Sequence, residues 1–168
     1  MLRAYSVIMS RGGMPTANHV KAVGQQLDSF FPSNDNNLNE ELCRVLCYLD
    51  HPSVVRKTIA LMKTSKAQIP DFNSEIMKRN KNYGGKILRT MGADVTPNVL
   101  NIHFLFCLKD VQVGWTMNDR RSYLGELQNL MTKKGGNMFT GYIQKIRESA
   151  IASVQRKIVF LFSILWEK

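Results

Sequence analysis

Apolar residues recur along most of the chain at three- and four-residue spacing, and the strict alternation of a half-buried strand is essentially absent. Leu2, Tyr5, Val7 and Ile8 are spaced as the face of a short helix that ends at Gly12-Gly13. Pro15-Thr16 opens a second helix, in which Val20, Val23, Leu27, Phe30 and Phe31 recur on one side. The run 32–37, Pro-Ser-Asn-Asp-Asn-Asn, has turn chemistry. The cleanest stripe follows it: Leu38, Leu42, Val45, Leu46 and Leu49. Glu40 and Glu41 are expected in the first turn of that helix, where its dipole favours negative charge. Asp50-His51-Pro52 then turns the chain. Pro52 suits the first position of the next helix, because the N–H it lacks would have no partner there. Val54, Val55, Ile59, Leu61 and Met62 form that helix's apolar face. Two amphipathic helices joined so tightly must lie antiparallel, as a helical hairpin.

Residues 65–98 are less regular. Asn73 or Ser74 caps a short helix reaching Lys81, 82–85 (Asn-Tyr-Gly-Gly) breaks it, and Lys86 to Met91 resumes it. Thr96-Pro97 begins a helix that is apolar nearly all round: Val99, Leu100, Ile102, Leu105, Phe106 and Leu108, with His103 among them. Such a helix belongs in the middle of a stack. Val113-Gly114-Trp115 is a turn, and Thr116 with Asp119 forms a capping box in which Asp replaces the usual Glu. Tyr123, Leu124, Leu127, Leu130 and Met131 make the next stripe, which ends at 134–137 (Lys-Gly-Gly-Asn), and Phe139, Tyr142, Ile143 and Ile146 open the last. The expected fold is all-α, with about seven to nine short helices in successive pairs. That order suits an α-solenoid of HEAT-like hairpins, in which each pair buries its face on its neighbours. No crisp internal repeat is present, and a compact irregular bundle is the alternative. Residues 1–152 are expected to form the helical domain, and 153–168 an apolar C-terminal helix or a truncated tail.

Four strings, taken in order, resemble a known arrangement: LNEELCRVLCYLDHPSVVRKTIALM at 38–62, RNKNYGG at 79–85, IHFLFCLKDVQVGWTMNDRRSYL at 102–124 and KGGNMFTGYIQKIRESAIA at 134–152. They are similar to the helical, HEAT-like C-terminal region of large planctomycete-type multidomain proteins. In those proteins the region accompanies a sugar-dehydrogenase-like β-propeller and a c-type cytochrome domain. The resemblance spans roughly residues 1–152, and its most specific parts are Gly114-Trp115-Thr116 and Gly135-Gly136. It implies an interaction or scaffold role, propeller and cytochrome domains as partners, and an extracytoplasmic setting for the parent protein. Neither a propeller-like all-β region nor a C-x-x-C-H haem motif is present here, so redox activity and haem do not carry over. After Ala152 the string RKIVFLFSILWEK departs from the polar continuation of those proteins. The expectation is a fragment or detached module of a redox-associated protein.

Composition adds a charge asymmetry. The 168 residues hold 23 Lys+Arg against 13 Asp+Glu, for a net charge of +10. Residues 1–75 hold 8 basic and 7 acidic side chains, whereas 76–168 hold 15 and 6, so nearly all the excess is in the second half. A basic half favours anionic partners, and it also serves as a solvated face that keeps a protein soluble. The start of the chain does not read as a signal peptide, because Ser6 and Ser10 break its apolar run before 11–13 (Arg-Gly-Gly). The longest apolar run, 158–166 (IVFLFSILW), falls short of the roughly 18–20 residues of a membrane span.

No motif for catalysis, cofactor or metal stands out. Cys43, Cys47 and Cys107 do not form a disulfide framework. Cys43 and Cys47 share an apolar helical face, as buried free thiols do. His19, His51 and His103 are far apart in sequence and form no ligand motif. No G-x-S-x-G is present, and the glycine pairs end helices instead of cradling a phosphate. Trp115 has two readings: a wedge sealing two helix pairs, or a surface aromatic that docks a partner or a sugar. Of Arg120 and Arg121, one is expected in solvent and the other tying the preceding turn by charge-assisted hydrogen bonds. Lys78, Arg79, Lys81, Lys86, Arg89, Lys133, Lys134, Lys145 and Arg147 are candidates to line a concave basic face. Tyr83 and Tyr142 are interleaved among them as stacking aromatics. The first expectation is thus a non-catalytic interaction module, and the second a basic α-solenoid that binds nucleic acid.

Overall fold

The computed structural model of the chain describes residues 2–13, 16–66, 96–135 and 138–166, without the side chains of Ser10 and of 156–166. All the regular structure among these residues is helical: α1 Leu2–Gly12, α2 Ala17–Asp28, α3 Asn36–Tyr48, α4 Val54–Thr64, α5 Val99–Leu108, α6 Met117–Met131 and α7 Phe139–Trp166. None of these helices is long and apolar enough to cross a membrane. The expectations for Lys78, Arg79, Lys81, Tyr83, Lys86 and Arg89 fall outside the described residues.

The helices begin where their capping chemistry places them. Asp35 accepts the N–H groups of Asn37 (2.8 Å) and Leu38 (3.4 Å) and starts α3. Asn98 does the same for Leu100 and Asn101 at the start of α5. Thr116 and Asp119 form the expected reciprocal box at α6. Each side chain satisfies N–H groups that a first helical turn leaves without an internal partner.

Alternate helices form a row in which α1 packs on α3, α3 on α5, and α5 on α7. Beside that row, α2 lies against α3, α4 against α3, α5 and α6, and α6 against α7. The helix α3 is buried on two faces. Leu42, Cys43 and Leu46 enter the main core with Val54, Val55, Phe104, Leu105, Leu108, Tyr123, Leu127 and Ile143. Val45 and Leu49 form a second, smaller core with Met9, flanked by Val20, Val23 and Leu27.

The turns between helices also dock on one another. The backbone N–H of Gln112 donates to Asp50 Oδ1 (3.2 Å), tying the α5–α6 connection to the α3–α4 turn. Gly114 lies against the carbonyl of Pro52 at φ +76°. Only glycine combines that dihedral with so close an approach at low cost. Within the core, Ser65 donates to Asn101 Oδ1 (2.5 Å) and Asn101 donates to Glu126 Oε1 (2.8 Å), so a polar bridge links α4, α5 and α6. Among the described residues, every buried side-chain nitrogen and oxygen has a hydrogen-bond partner.

Several local expectations need correction. On α1, Tyr5, Val7 and Ile8 are exposed, while Leu2 packs against the main core and Met9 is buried in the smaller one. Phe30 and Phe31 lie beyond the end of α2; Phe31 is buried and Phe30 is 58% exposed. Because α3 starts at Asn36, Glu40 and Glu41 sit past its first turn, and Glu41 pairs with Arg44. Pro52 belongs to the turn, and Ser53 is the residue preceding α4. Helix α5 begins at Val99, two residues after Pro97; it is apolar on nearly every side and packs against α3, α4 and α7, with Val99 at its start exposed. The backbone of α7 runs through 152–153 without interruption.

The glycines give a paired test. Gly114→Ala forces a Cβ into the Pro52 carbonyl and holds alanine at positive φ, and is expected to lower stability by about 2 kcal/mol or more. Gly141→Ala, in an exposed helical position with open space around it, is expected to raise stability by roughly 0.5–1 kcal/mol. Urea titration of the two variants checks both signs.

Candidate functional site

The described residues among those nominated by the sequence lie on α6, on α7 and in the connections around them. Trp115 and Arg120 come together in a cleft, described below. Arg121, one helical step of about 100° from Arg120, points into solvent. Lys133 and Lys134 follow the end of α6. Lys145 and Arg147 are exposed on α7, but two residues apart on a helix they project about 160° from each other. Tyr142 stacks on Phe106 at 6.2 Å between ring centres, which ties α7 to α5.

The cleft lies between the end of α5, the start of α6 and the middle of α7, with a volume of about 240 Å³. Leu108, Lys109 and Val111 form one wall, Trp115, Arg120, Tyr123 and Leu124 a second, and Ala150, Ile151, Ser153, Val154 and Gln155 the third. Gly114 turns the chain so that Trp115 enters this space. The indole Nε1 donates to the carbonyl of Val111 (2.9 Å), and the ring meets Tyr123 edge-on at 5.3 Å. Trp115 thus packs, partly buried, at the edge of the main core, and part of its ring lines the cleft. Tyr123 donates to the carbonyl of Leu105 (3.0 Å), and its phenol is pushed up, first by burial and then by the charges of Asp110 and Cys47.

Arg120 does not tie the preceding turn by a charge-assisted bond, as expected above. Its guanidinium lies over the Trp115 ring, 4.8 Å from the centroid. Burial draws its pKa below the ordinary arginine value, although the group stays cationic. Among the described residues no carboxylate pairs with it. Lys109 in the same cleft pairs with Asp110 and sits 5.0 Å from the Phe106 ring centre. Asp119 is occupied by the amide and hydroxyl of Thr116. Among the described residues the cleft is therefore an apolar hollow with one cation left uncompensated at its edge.

Two further clusters bring reactive side-chain types together. At the junction of α2 and α4, Ser53 Oγ donates to Asp28 Oδ1 and lies 3.0 Å from His51 Nδ1. Lys57 Nζ reaches both Asp28 Oδ1 (2.8 Å) and the Asp28 carbonyl (2.7 Å). A Ser-His-Asp triad needs the histidine between the other two. Here the serine stands between His51 and the carboxylate, so the arrangement does not activate Ser53. It works as a clamp: Asp28 ends α2, where negative charge opposes the helix dipole, and Lys57 of α4 offsets it. Gly24 leaves room for the His51 ring, whose Cδ2 would be 3.0 Å from an added Cβ.

The second cluster gathers all three cysteines. Cys43 Sγ is 3.8 Å from Cys47 Sγ and 3.6 Å from Thr58 Oγ1, and it also bonds Cys107. Cys107 Sγ is 3.4 Å from His103 Nε2, itself 3.1 Å from the Glu40 carbonyl oxygen. Burial pushes the Cys43 thiol well up, and the bond to Cys43 followed by burial does so for Cys107. Thiols held protonated are poor nucleophiles. Burial works against charge on His103, but its bonds to Cys107 and to the Glu40 carbonyl outweigh burial and raise its pKa. Among the described residues, no group of three or more His, Cys, Asp or Glu side chains is arranged to hold a metal ion.

The sequence argument missed the convergence of Cys107 with Cys43. Its signal was present, since 43/47 and 103/107 are both four-residue pairs and both lie on helices. No family model matches the chain, and no curated protein or solved structure is detectably similar to it.

The Asp28 clamp predicts a pH dependence. Burial alone would raise this carboxyl, but hydrogen bonds from Lys57 and Ser53, with the charges of Lys57 and His51, hold it below its ordinary value. A carboxyl depressed in the folded state adds stability above its unfolded pKa and loses it as pH falls below about 4. Asp28→Asn should therefore be less stable than the parent chain at pH 6, with the gap closing toward pH 3. Thermal melts of both proteins across that range check it.

Proposed function

We propose that the chain is a non-catalytic protein-interaction module, a HEAT-like helical scaffold belonging to, or detached from, a larger redox-associated protein. The observation that carries this reading is the row of alternate helices α1, α3, α5 and α7 with α2, α4 and α6 beside it. Such a two-layer order leaves helix faces and inter-helix clefts at its ends and flanks, and solenoids use these surfaces to bind proteins. The chain's chemistry is spent internally in the same sense. Ser53, His51 and Asp28 clamp two helices, and the thiols of Cys43 and Cys107 are held protonated at the core. The exposed apolar residues, including Tyr5, Val7, Phe30, Met117 and Leu124, supply contact area of the type that interfaces bury.

The resemblance to planctomycete-type proteins makes sugar-dehydrogenase-like β-propeller and c-type cytochrome domains the first partners to test. Sedimentation of the purified chain with each domain is expected to show a complex that survives a rise from about 50 to 200 mM salt. The competing reading is a basic solenoid on nucleic acid. Oligonucleotide binding with a salt slope steeper than that of an equally basic unrelated protein, and no complex with either domain, would contradict the scaffold reading.

A further inference from the structure

We infer that the cleft beside Trp115 receives an acidic, apolar segment of a partner protein, with an apolar side chain in the hollow and a carboxylate on Arg120. This rests on the interaction-module reading and names the chemistry of its partner. The volume of about 240 Å³ lies below the roughly 300–1,000 Å³ of small-molecule sites and suits a single large side chain. The lining is apolar where such a side chain would rest, on Leu108, Val111, Trp115, Leu124, Ile151 and Val154. Leu124 and Ile151 are already exposed, so the hollow opens to solvent.

Charge selects the occupant. Arg120 is partly buried, held against an indole face, and lacks a carboxylate among the described residues. The Trp115 ring beneath it holds the guanidinium in place, and its N–H groups can receive the two oxygens of a carboxylate. The nearby negative charges are already engaged, Asp110 by Lys109 and Asp119 by Thr116. An incoming carboxylate therefore finds an oriented cation without displacing an internal partner. Trp, Tyr and Arg, which line this hollow, are also the side chains in which binding energy concentrates at protein interfaces. Nucleic acid fits less well, because Arg120 covers a face of Trp115 and Tyr123 meets the ring edge-on, which limits the surface a base needs for stacking.

The probe is a fluorescein-labelled peptide with one Phe between glutamates in a Gly-Ser background, titrated with the full chain and read by polarisation. Two control peptides replace the glutamates by lysine and the Phe by serine. Arg120→Glu and Leu124→Glu alter the cleft, and Arg56→Glu makes the same charge reversal on an exposed face of α4. Leu124 is exposed, so its variant keeps the test open if Arg120→Glu folds poorly; circular dichroism melts check both. The expected result is binding of the Phe–Glu peptide that weakens roughly tenfold or more in both cleft variants and little in Arg56→Glu, with both control peptides weaker. Equal loss in all three variants, equal binding of the lysine peptide, or no binding at about 1 mM overturns the assignment. Tighter binding of oligothymidylate than of the peptide, lost in Arg120→Glu, overturns it in favour of nucleic acid. A complex with a propeller or cytochrome domain that survives Arg120→Glu leaves the module reading standing and removes this one.

Discussion

The structure depends on the burial of α3 on two faces. Leu42, Cys43 and Leu46 face the main core, while Val45 and Leu49 face the smaller core built with Met9. One helix thereby joins the N-terminal helices to everything that follows. Burying a leucine side chain contributes about 1.5–3 kcal/mol, so these few residues represent a large share of a marginal total. Polar atoms at this interface had to be matched to remain there. Cys43 finds Cys47, Thr58 and Cys107, and His103 finds the Glu40 carbonyl. The thiol cluster is best understood as part of this packing, because protonated sulfur behaves as a small apolar group with weak hydrogen bonds.

The position of the cleft follows from how the turns dock. Asp50 adopts a positive φ of 52°, and its carboxylate accepts the Gln112 amide, so the α3–α4 turn holds the α5–α6 connection. Gly114 closes on Pro52, and the chain then reverses into Trp115 and the Thr116–Asp119 cap. Gln112 also donates to Ser153 Oγ (2.6 Å), which fixes α7 against the same connection. A contact chain therefore runs from the α3 core to the three walls of the cleft. Arg120 lies over the Trp115 ring and, among the described residues, meets no carboxylate, which leaves its charge available.

Much of the fold was legible in the sequence because it rests on local rules. The stripe of Leu42, Val45, Leu46 and Leu49, the Thr116–Asp119 box and the stop before Gly13 depend on spacing and backbone chemistry within a few residues. Failures occur where neighbours decide. Tyr5, Val7 and Ile8 are spaced as a core face, yet the second core accepts Met9 instead. Phe30 and Phe31 differ in burial although adjacent, because the chain has already left α2. The cap at Asn98, and not Pro97, sets the start of α5. Of the cleft, Trp115 and Arg120 were visible as types. Their stacking, the contribution of Lys109 and the α7 wall are long-range and have no sequence spacing to announce them. The clamp of Asp28, Ser53, His51 and Lys57 spans two helices and was hidden for the same reason.

Residue-resolved hydrogen exchange of the native chain tests the central claim, that α3 is the element on which the others close. The account predicts that amides of α3 from Leu42 to Leu46 exchange most slowly, together with Phe104 to Leu108 of α5, and only through global unfolding. The amides of α1 should exchange faster, through openings that leave α3 intact, because α1 adds only Met9 to the smaller core and a partly buried Leu2 to the edge of the main one. Exchange of α3 at the rate of α1, with α6 and α7 protected longer, would show that the C-terminal helices form the stable unit by themselves. That result would contradict the account.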